Sequence, residues 1–99
     1  MPPTTAFAPY FAVIRLRIRR ARETAGLTQE AAAERAGVAV RVWQRYEGRK
    51  TDISDPGLWT LLRIAQGLDV DFEGLIEMPS NLELEAAREL EYYPTQDRN

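Results

Sequence analysis

Neither cysteine nor histidine occurs among the 99 residues. The first absence excludes a disulfide framework, a thiolate nucleophile and a cysteine-ligated zinc site; the second removes the imidazole base and the commonest metal ligand. Most hydrolytic and metal chemistry goes with them. Carboxylates remain, but those of the second half lie along helix-like stretches without a Gly-rich phosphate loop, so neither catalysis nor a cofactor or metal is expected. Long apolar runs are also missing. The longest charge-free one near the start, Ala6 to Ile14, contains Pro9 and is too short to span a bilayer. No basic segment precedes it as in a secretory signal, so a cytoplasmic, nucleoid-associated chain without a membrane partner is expected. Strand-like alternation, internal repeats and low-complexity tracts are absent too, which leaves an all-helical domain.

What is present is unevenly distributed. The formal net charge is only −2. Residues 1–50 nevertheless hold nine arginines and one lysine against four glutamates, a net of +6, and the remainder holds three arginines against eleven acids, a net of −8. Near-neutrality therefore conceals a basic half and an acidic half, the asymmetry of a chain with one polyanion-binding side. The acidic surface is expected to lie away from that side or in a dimer seam.

Along the chain, residues 1–10 carry three prolines and no periodicity and are expected to form a flexible arm. From Phe11, apolar residues at 11, 14, 18, 21 and 25 mark a first helix, interleaved with Arg15, Arg17, Arg19, Arg20 and Arg22 and stopped by Gly26. Thr28 is an N-cap for a second helix through Ala36, with Glu30 in its first turn. Gly37 ends it, and only Val38 and Ala39 precede a third helical segment, Val40 to Glu47. A polar, turn-rich stretch closes at Pro56 and Gly57. Leu58, Leu61, Leu62, Ala65 and Leu68 then outline a fourth helix, and Val70, Phe72, Leu75 and Ile76 a short fifth, with Asp71 as cap. After Pro79, Ser80 and Glu83 form a capping-box pattern, and Leu82, Ala86, Ala87, Leu90 and Tyr93 recur at helical spacing. The expected organisation is an arm (1–10), a helical domain (11–78) and an acidic extension (79–99) of one short helix and a frayed tail.

Two short helices joined by a tight glycine turn must cross steeply, which requires a small residue on the inner face of the first; Ala33, four before Gly37, supplies it. Ala32, Ala36, Val38, Trp43 and Tyr46 complete the expected buried set. The outward face of the second presents Val40, Arg41, Gln44 and Arg45. This is a helix-turn-helix pattern with long hydrogen-bonding side chains where a major groove would be read.

The run GLTQEAAAERAGVAVRVWQRYEGRK, followed by PGLWTLLRIAQGLDVDFEGLI, resembles the Cro and phage-repressor type helix-turn-helix family (XRE family) over about residues 11–78. The markers are Gly26-Leu27-Thr28-Gln29-Glu30, Ala33, Gly37-Val38, Tyr46-Glu47-Gly48 and Leu61-Leu62-Arg63-Ile64-Ala65 with Leu68. The resemblance implies a five-helix, lambda-repressor-like domain that binds double-stranded DNA, commonly as a homodimer repressing transcription. It implies base contacts from Val40, Arg41, Gln44 and Arg45 and phosphate contacts from Gln29, Arg49 and Lys50. Arg22 and Glu47 match a pair joining helix one to helix three near the DNA backbone. From the basic flank of helix one, Arg19 and Arg22 are expected to approach phosphate. The sequence departs from the family pattern at Ala39, where Ser or Thr is common, at Ala32 and Ala36, where bulkier aliphatics are common and Trp43 and Tyr46 are expected to fill the space, and in a longer loop from Glu47 to Pro56.

Each of these features has a plainer reading. Arg41, Gln44 and Arg45 are an ordinary solvated face if the motif is set aside, and Trp43 and Trp59 are expected in the core rather than stacked on a ligand. Val13 and Leu16, off the main stripe, are expected to pack on the arm or a partner. The extension is expected to cap the domain or to form a dimer interface through Leu82, Ala86, Leu90 and Tyr93, since so short an apolar stripe must bury itself against something. The principal functional reading is a repressor on an inverted-repeat operator. The alternatives are an antitoxin that also binds a toxin through the C-terminal extension, and a protein-interaction module that does not use DNA. With no ligand-sensing domain expected after residue 78, control would pass through protein level, dimerisation or a partner.

Overall fold

The computed structural model describes residues 3–48, 57–90 and 92, with the side chains of residues 3–8 set aside. Those residues form six helices and no strand: α1 (Pro3–Thr24), α2 (Gln29–Ala36), α3 (Val40–Glu47), α4 (Leu58–Leu68), α5 (Phe72–Ile76) and α6 (Asn81–Glu89). The fold is all-α, as the absence of strand patterning requires. None of these helices is long and apolar enough to cross a membrane.

The start of α1 corrects the expected arm: the helix begins at Pro3, not near Phe11, and carries Pro9 inside it. Proline suits a first helical position because its missing N–H would have no partner there. One interior proline removes one further backbone bond, and the long apolar and basic run beyond carries the helix through.

The other boundaries follow local chemistry. The Thr28 hydroxyl accepts the Ala31 N–H at 3.0 Å and caps α2. Gly37 then turns the chain at φ +72°, its N–H reaching the Glu34 carbonyl while Val38 N–H reaches that of Ala33. A side chain rarely adopts that conformation, so glycine is what permits the two-residue passage into α3. Asp71 sits at the N-cap of α5 but makes no side-chain cap bond. At α6 the expected capping box is present in full: Glu83 N–H donates to the Ser80 hydroxyl at 3.2 Å and Ser80 N–H to the Glu83 carboxylate at 3.1 Å.

Two apolar clusters form, one on each side of α1. The larger joins Ile14 and Ile18 to Ala32, Ala33, Ala36, Trp43, Leu61, Ile64, Ala65, Leu68 and Leu75. Its tightest point is the crossing of α2 and α4, where a Cβ on Gly67 would lie 2.8 Å from the Ala36 backbone. Ala36 is small because α4 passes directly over it, a reason distinct from the expected filling by Trp43 and Tyr46. On α4, Ile64 rather than Leu58 belongs to the buried face; Leu58, at the first residue of the helix, is exposed.

The second cluster joins Ala12, Val13 and Leu16 of α1 to Ala87 and Tyr92, with Leu84 and Ala86 at its edge. Val13 and Leu16 are thus covered by the C-terminal extension, not by an N-terminal arm. The face that α6 buries also differs from expectation: Leu82 is 82% exposed and Leu90 is exposed, while Ala87 is fully buried. The helix ends at Glu89, so Tyr92 is placed on α1 by the turn that follows; Tyr93 lies outside the described residues.

Candidate nucleic-acid interface

α3 has an inner face that holds it and an outer face that is free. Trp43 is fully buried, and Glu47, one turn later, is only 4% exposed. A buried carboxylate costs several kcal/mol unless it is paired and hydrogen-bonded. Glu47 is both. Arg22 donates Nε to its Oε2 at 2.6 Å and Nη2 to its Oε1 at 3.0 Å. The Trp43 indole N–H donates to Oε2 at 2.8 Å, and the Gln29 amide to Oε1 at 2.7 Å. Burial works against the charge of this carboxyl, but the bonds from Arg22, Trp43 and Gln29, with the Arg22 charge, outweigh it and hold its pKa below the ordinary glutamate value. The same contact raises Arg22. One acid thereby ties together α1, α2 and both turns of α3.

The arrangement extends outward. Gln29, the first residue of α2, accepts on Oε1 a bond from the Gln44 amide at 3.3 Å. Gln44 lies on the exposed face of α3 with Val40, Arg41 and Arg45, all four exposed. No ion pair involves Arg41 or Arg45 among the described residues. Two acids of α6 are engaged elsewhere: Glu83 with Arg17 at 2.9 Å and Glu85 with Arg88 at 3.0 Å. Neither of those acids pairs with Arg41 or Arg45.

Of the residues expected at phosphate, Arg22 is committed to Glu47 and to the Leu27 carbonyl, and Gln29 bridges Glu47 and Gln44. Arg19 bonds Glu23 at 3.1 Å and the Tyr92 hydroxyl at 3.3 Å. Arg49 and Lys50 lie outside the described residues. Ala33 is buried beneath the turn made by Gly37, as the steep crossing requires. Of these side chains, Arg22 and Gln29 meet on Glu47, at the junction of α1, α2 and α3.

The family model for a helix-turn-helix domain matches residues 14–76. The chain belongs to that family. It is a family of DNA-binding domains, and the match runs from the middle of α1 to the last residue of α5, so it takes in α2, the turn at Gly37 and α3. α6 and Tyr92 lie beyond the matched segment. No curated protein and no solved structure matches the chain.

Several structural roles escaped the sequence reading. Arg15 and Arg17 do not form a free basic flank. Arg17 forks onto Glu83 and also donates to the carbonyls of Leu75 and Glu77, while Arg15 donates to those of Gly48 and Tyr92. The Trp43–Glu47 bond had a signal, since residues four apart share a helical face. Trp59, expected in the core, is 67% exposed, with the Arg63 guanidinium 5.6 Å from its ring centre and donating to the Gly37 carbonyl at 3.0 Å. Nothing in the spacing distinguishes that surface tryptophan from a buried one.

Proposed function

We propose that this helix-turn-helix chain is a sequence-specific transcriptional regulator of the XRE type, a cytoplasmic repressor that binds double-stranded DNA as a homodimer on an inverted-repeat operator. The observation that carries the reading is the contrast across α3: an inner face pinned by the buried Glu47 and an outer face offering Val40, Arg41, Gln44 and Arg45 unobstructed. A rigidly held helix presenting two arginines and a glutamine is the geometry that bidentate readout of guanine and adenine needs, with Val40 placed for a thymine methyl. Each good bidentate pair is worth about 1–3 kcal/mol of discrimination. Gln29, Arg19, Arg22, Arg49 and Lys50 supply phosphate contacts, so affinity falls steeply with salt. Half-sites lie about one helical turn, roughly 34 Å, apart.

Selection of preferred duplexes from a random library tests the reading, followed by the same selection with two variants. Arg45→Ala relaxes base preference at one position, whereas Arg49→Ala weakens binding to all sequences about equally. An unchanged base profile for Arg45→Ala removes that residue from the reading face, and no enriched sequence at low salt removes the regulator reading itself.

A second reading is favoured by Met78, at the end of the helical domain, and Leu82, on the acidic extension, 80% and 82% exposed. It is an antitoxin that represses its own operon and holds a toxin on the outer side of α6. Co-purification with a small toxin encoded next to it decides between the two.

A further inference from the structure

Arg15, Arg19 and Arg22 follow one another at spacings of four and three, so they share one face of α1. That face meets the end of α3 and the segment after α6. Arg22 holds Glu47, the last residue of α3. Arg15 holds the next residue, donating Nε to the carbonyl of Gly48, the C-cap, at 3.0 Å. With its Nη2 the same guanidinium binds the Tyr92 carbonyl at 2.6 Å. Arg19 reaches the Tyr92 hydroxyl, and the ring is 1% exposed among Ala12, Val13, Leu16 and Ala87.

A helix end leaves carbonyls without intrahelical partners, and the planar guanidinium fork can bridge two such acceptors in fixed directions, which an ammonium cannot. We infer that Arg15 and Tyr92 are positioning residues for the recognition helix: the C-terminal segment, acting through Arg15, fixes the end of α3 and thereby its angle in the groove. The inference rests on the DNA-binding reading above and adds to it a control exerted from Tyr92, beyond the matched family domain, which stops at residue 76. Arg15 is not on the reading face, so its effect on sequence preference is transmitted wholly through Gly48.

The test uses the full-length chain and the duplex preferred by the wild type. Affinity for that duplex and for a scrambled one is measured at one salt concentration for the wild type, Arg15→Gln, Arg15→Lys, Tyr92→Ala and the double variant Arg15→Gln/Tyr92→Ala, alongside thermal melts and amide hydrogen exchange. Arg15→Gln lowers the ratio of the two affinities about five-fold, the scale of a coupling mutation remote from the ligand. Arg15→Lys, which reaches one carbonyl but not both, recovers part of it. Exchange quickens at Gln44 to Gly48 while the amides of Ile64 and Ala65 keep their protection. The double variant is no worse than the poorer single one. A lowered melting temperature with an unchanged affinity ratio overturns the inference, because that is what packing alone would produce, and so does strict additivity of the two substitutions. Should Tyr92→Ala fail to fold, Arg15→Lys against Arg15→Gln decides. A wild-type chain without a preferred duplex would defeat the functional reading instead, and unchanged exchange at the end of α3 in Arg15→Gln would defeat the coupling without any DNA present.

Discussion

Helix α1 is gripped on two sides by the same chemical device in two different settings. Toward the family domain, Arg22 forks onto Glu47, whose side chain is 3% exposed. Toward the extension, Arg17 forks onto Glu83, whose side chain is 35% exposed. The geometry is nearly equal, and the energetics are not. Glu47 has no water to fall back on and takes two further bonds, from Trp43 and Gln29; Glu83 takes one, from the Ser80 backbone, and borders solvent. The difference teaches that α3 is locked to α1, whereas α6 is docked on it. A buried ion pair is poor evidence of net stability compared with an apolar replacement, but once present it makes each partner indispensable to the other.

Breaking the buried side has the largest expected effect. Arg22→Ala leaves a buried, uncompensated carboxylate and costs about 3–5 kcal/mol, read by urea unfolding. In a domain whose whole stability is of order 5–15 kcal/mol, that is a large share. A loss below about 1 kcal/mol would mean that water reaches Glu47. Next comes Gly67→Ala on the same side. Its Cβ meets the Ala36 backbone at 2.8 Å, so α2 and α4 must part, at about 1–3 kcal/mol.

The docked side gives less. Glu83→Ala removes the capping-box partner and a half-exposed ion pair together, about 1–2 kcal/mol after allowance for solvent screening. The loss should show as faster hydrogen exchange confined to α6, with the protection of Ile64 and Trp43 unchanged. Uniform loss of protection through both clusters would show that α6 and the family domain unfold as one unit.

Acid titration acts on the two carboxylates in the same direction. Both have folded-state pKa values below the ordinary 4.5, Glu83 through its bond from Arg17 against a smaller cost of burial. A lowered folded value means stability that is present above pH 4.5 and lost as pH falls through the folded pKa. Unfolding free energy should therefore decline on going from neutral pH into the acid range. Glu47→Gln flattens that decline more than Glu83→Gln does; the reverse order would reassign the dominant pair.

Much of this was legible in the residues themselves. Thr28, Gly37, Ser80 and Glu83 mark helix ends by chemistry that acts within four residues, and the structure keeps all of them. The buried set around Ala33 and Trp43 and the outward placing of Arg41, Gln44 and Arg45 follow from helical periodicity once the turn is located. What was not legible depends on which element lies opposite. An arginine on a helix looks the same whether it faces water, as Arg41 does, or forks onto a distant carboxylate, as Arg17 does. Gly67 carries no local sign that α2 crosses above it. Leu82 and Leu90 occupy helical spacing as well as Ala87 does, but only the close approach of α1 selects the small residue. The prolines of the first ten residues look like breakers because the regular helical stripe of apolar residues begins only at Phe11, after them.

The two tryptophans sit at opposite extremes of this arrangement. Trp43 is sealed inside with its indole N–H on Glu47, and Trp59 stands in water beside Arg63. In emission they form two separate channels within one chain. Trp59 supplies a red-shifted component open to collisional quenching by iodide, and Trp43 a component shielded from iodide and tied to the carboxylate that anchors α3. A Trp59→Phe chain would then report on that anchor alone, and its spectrum would follow the seating of α3 without any attached label.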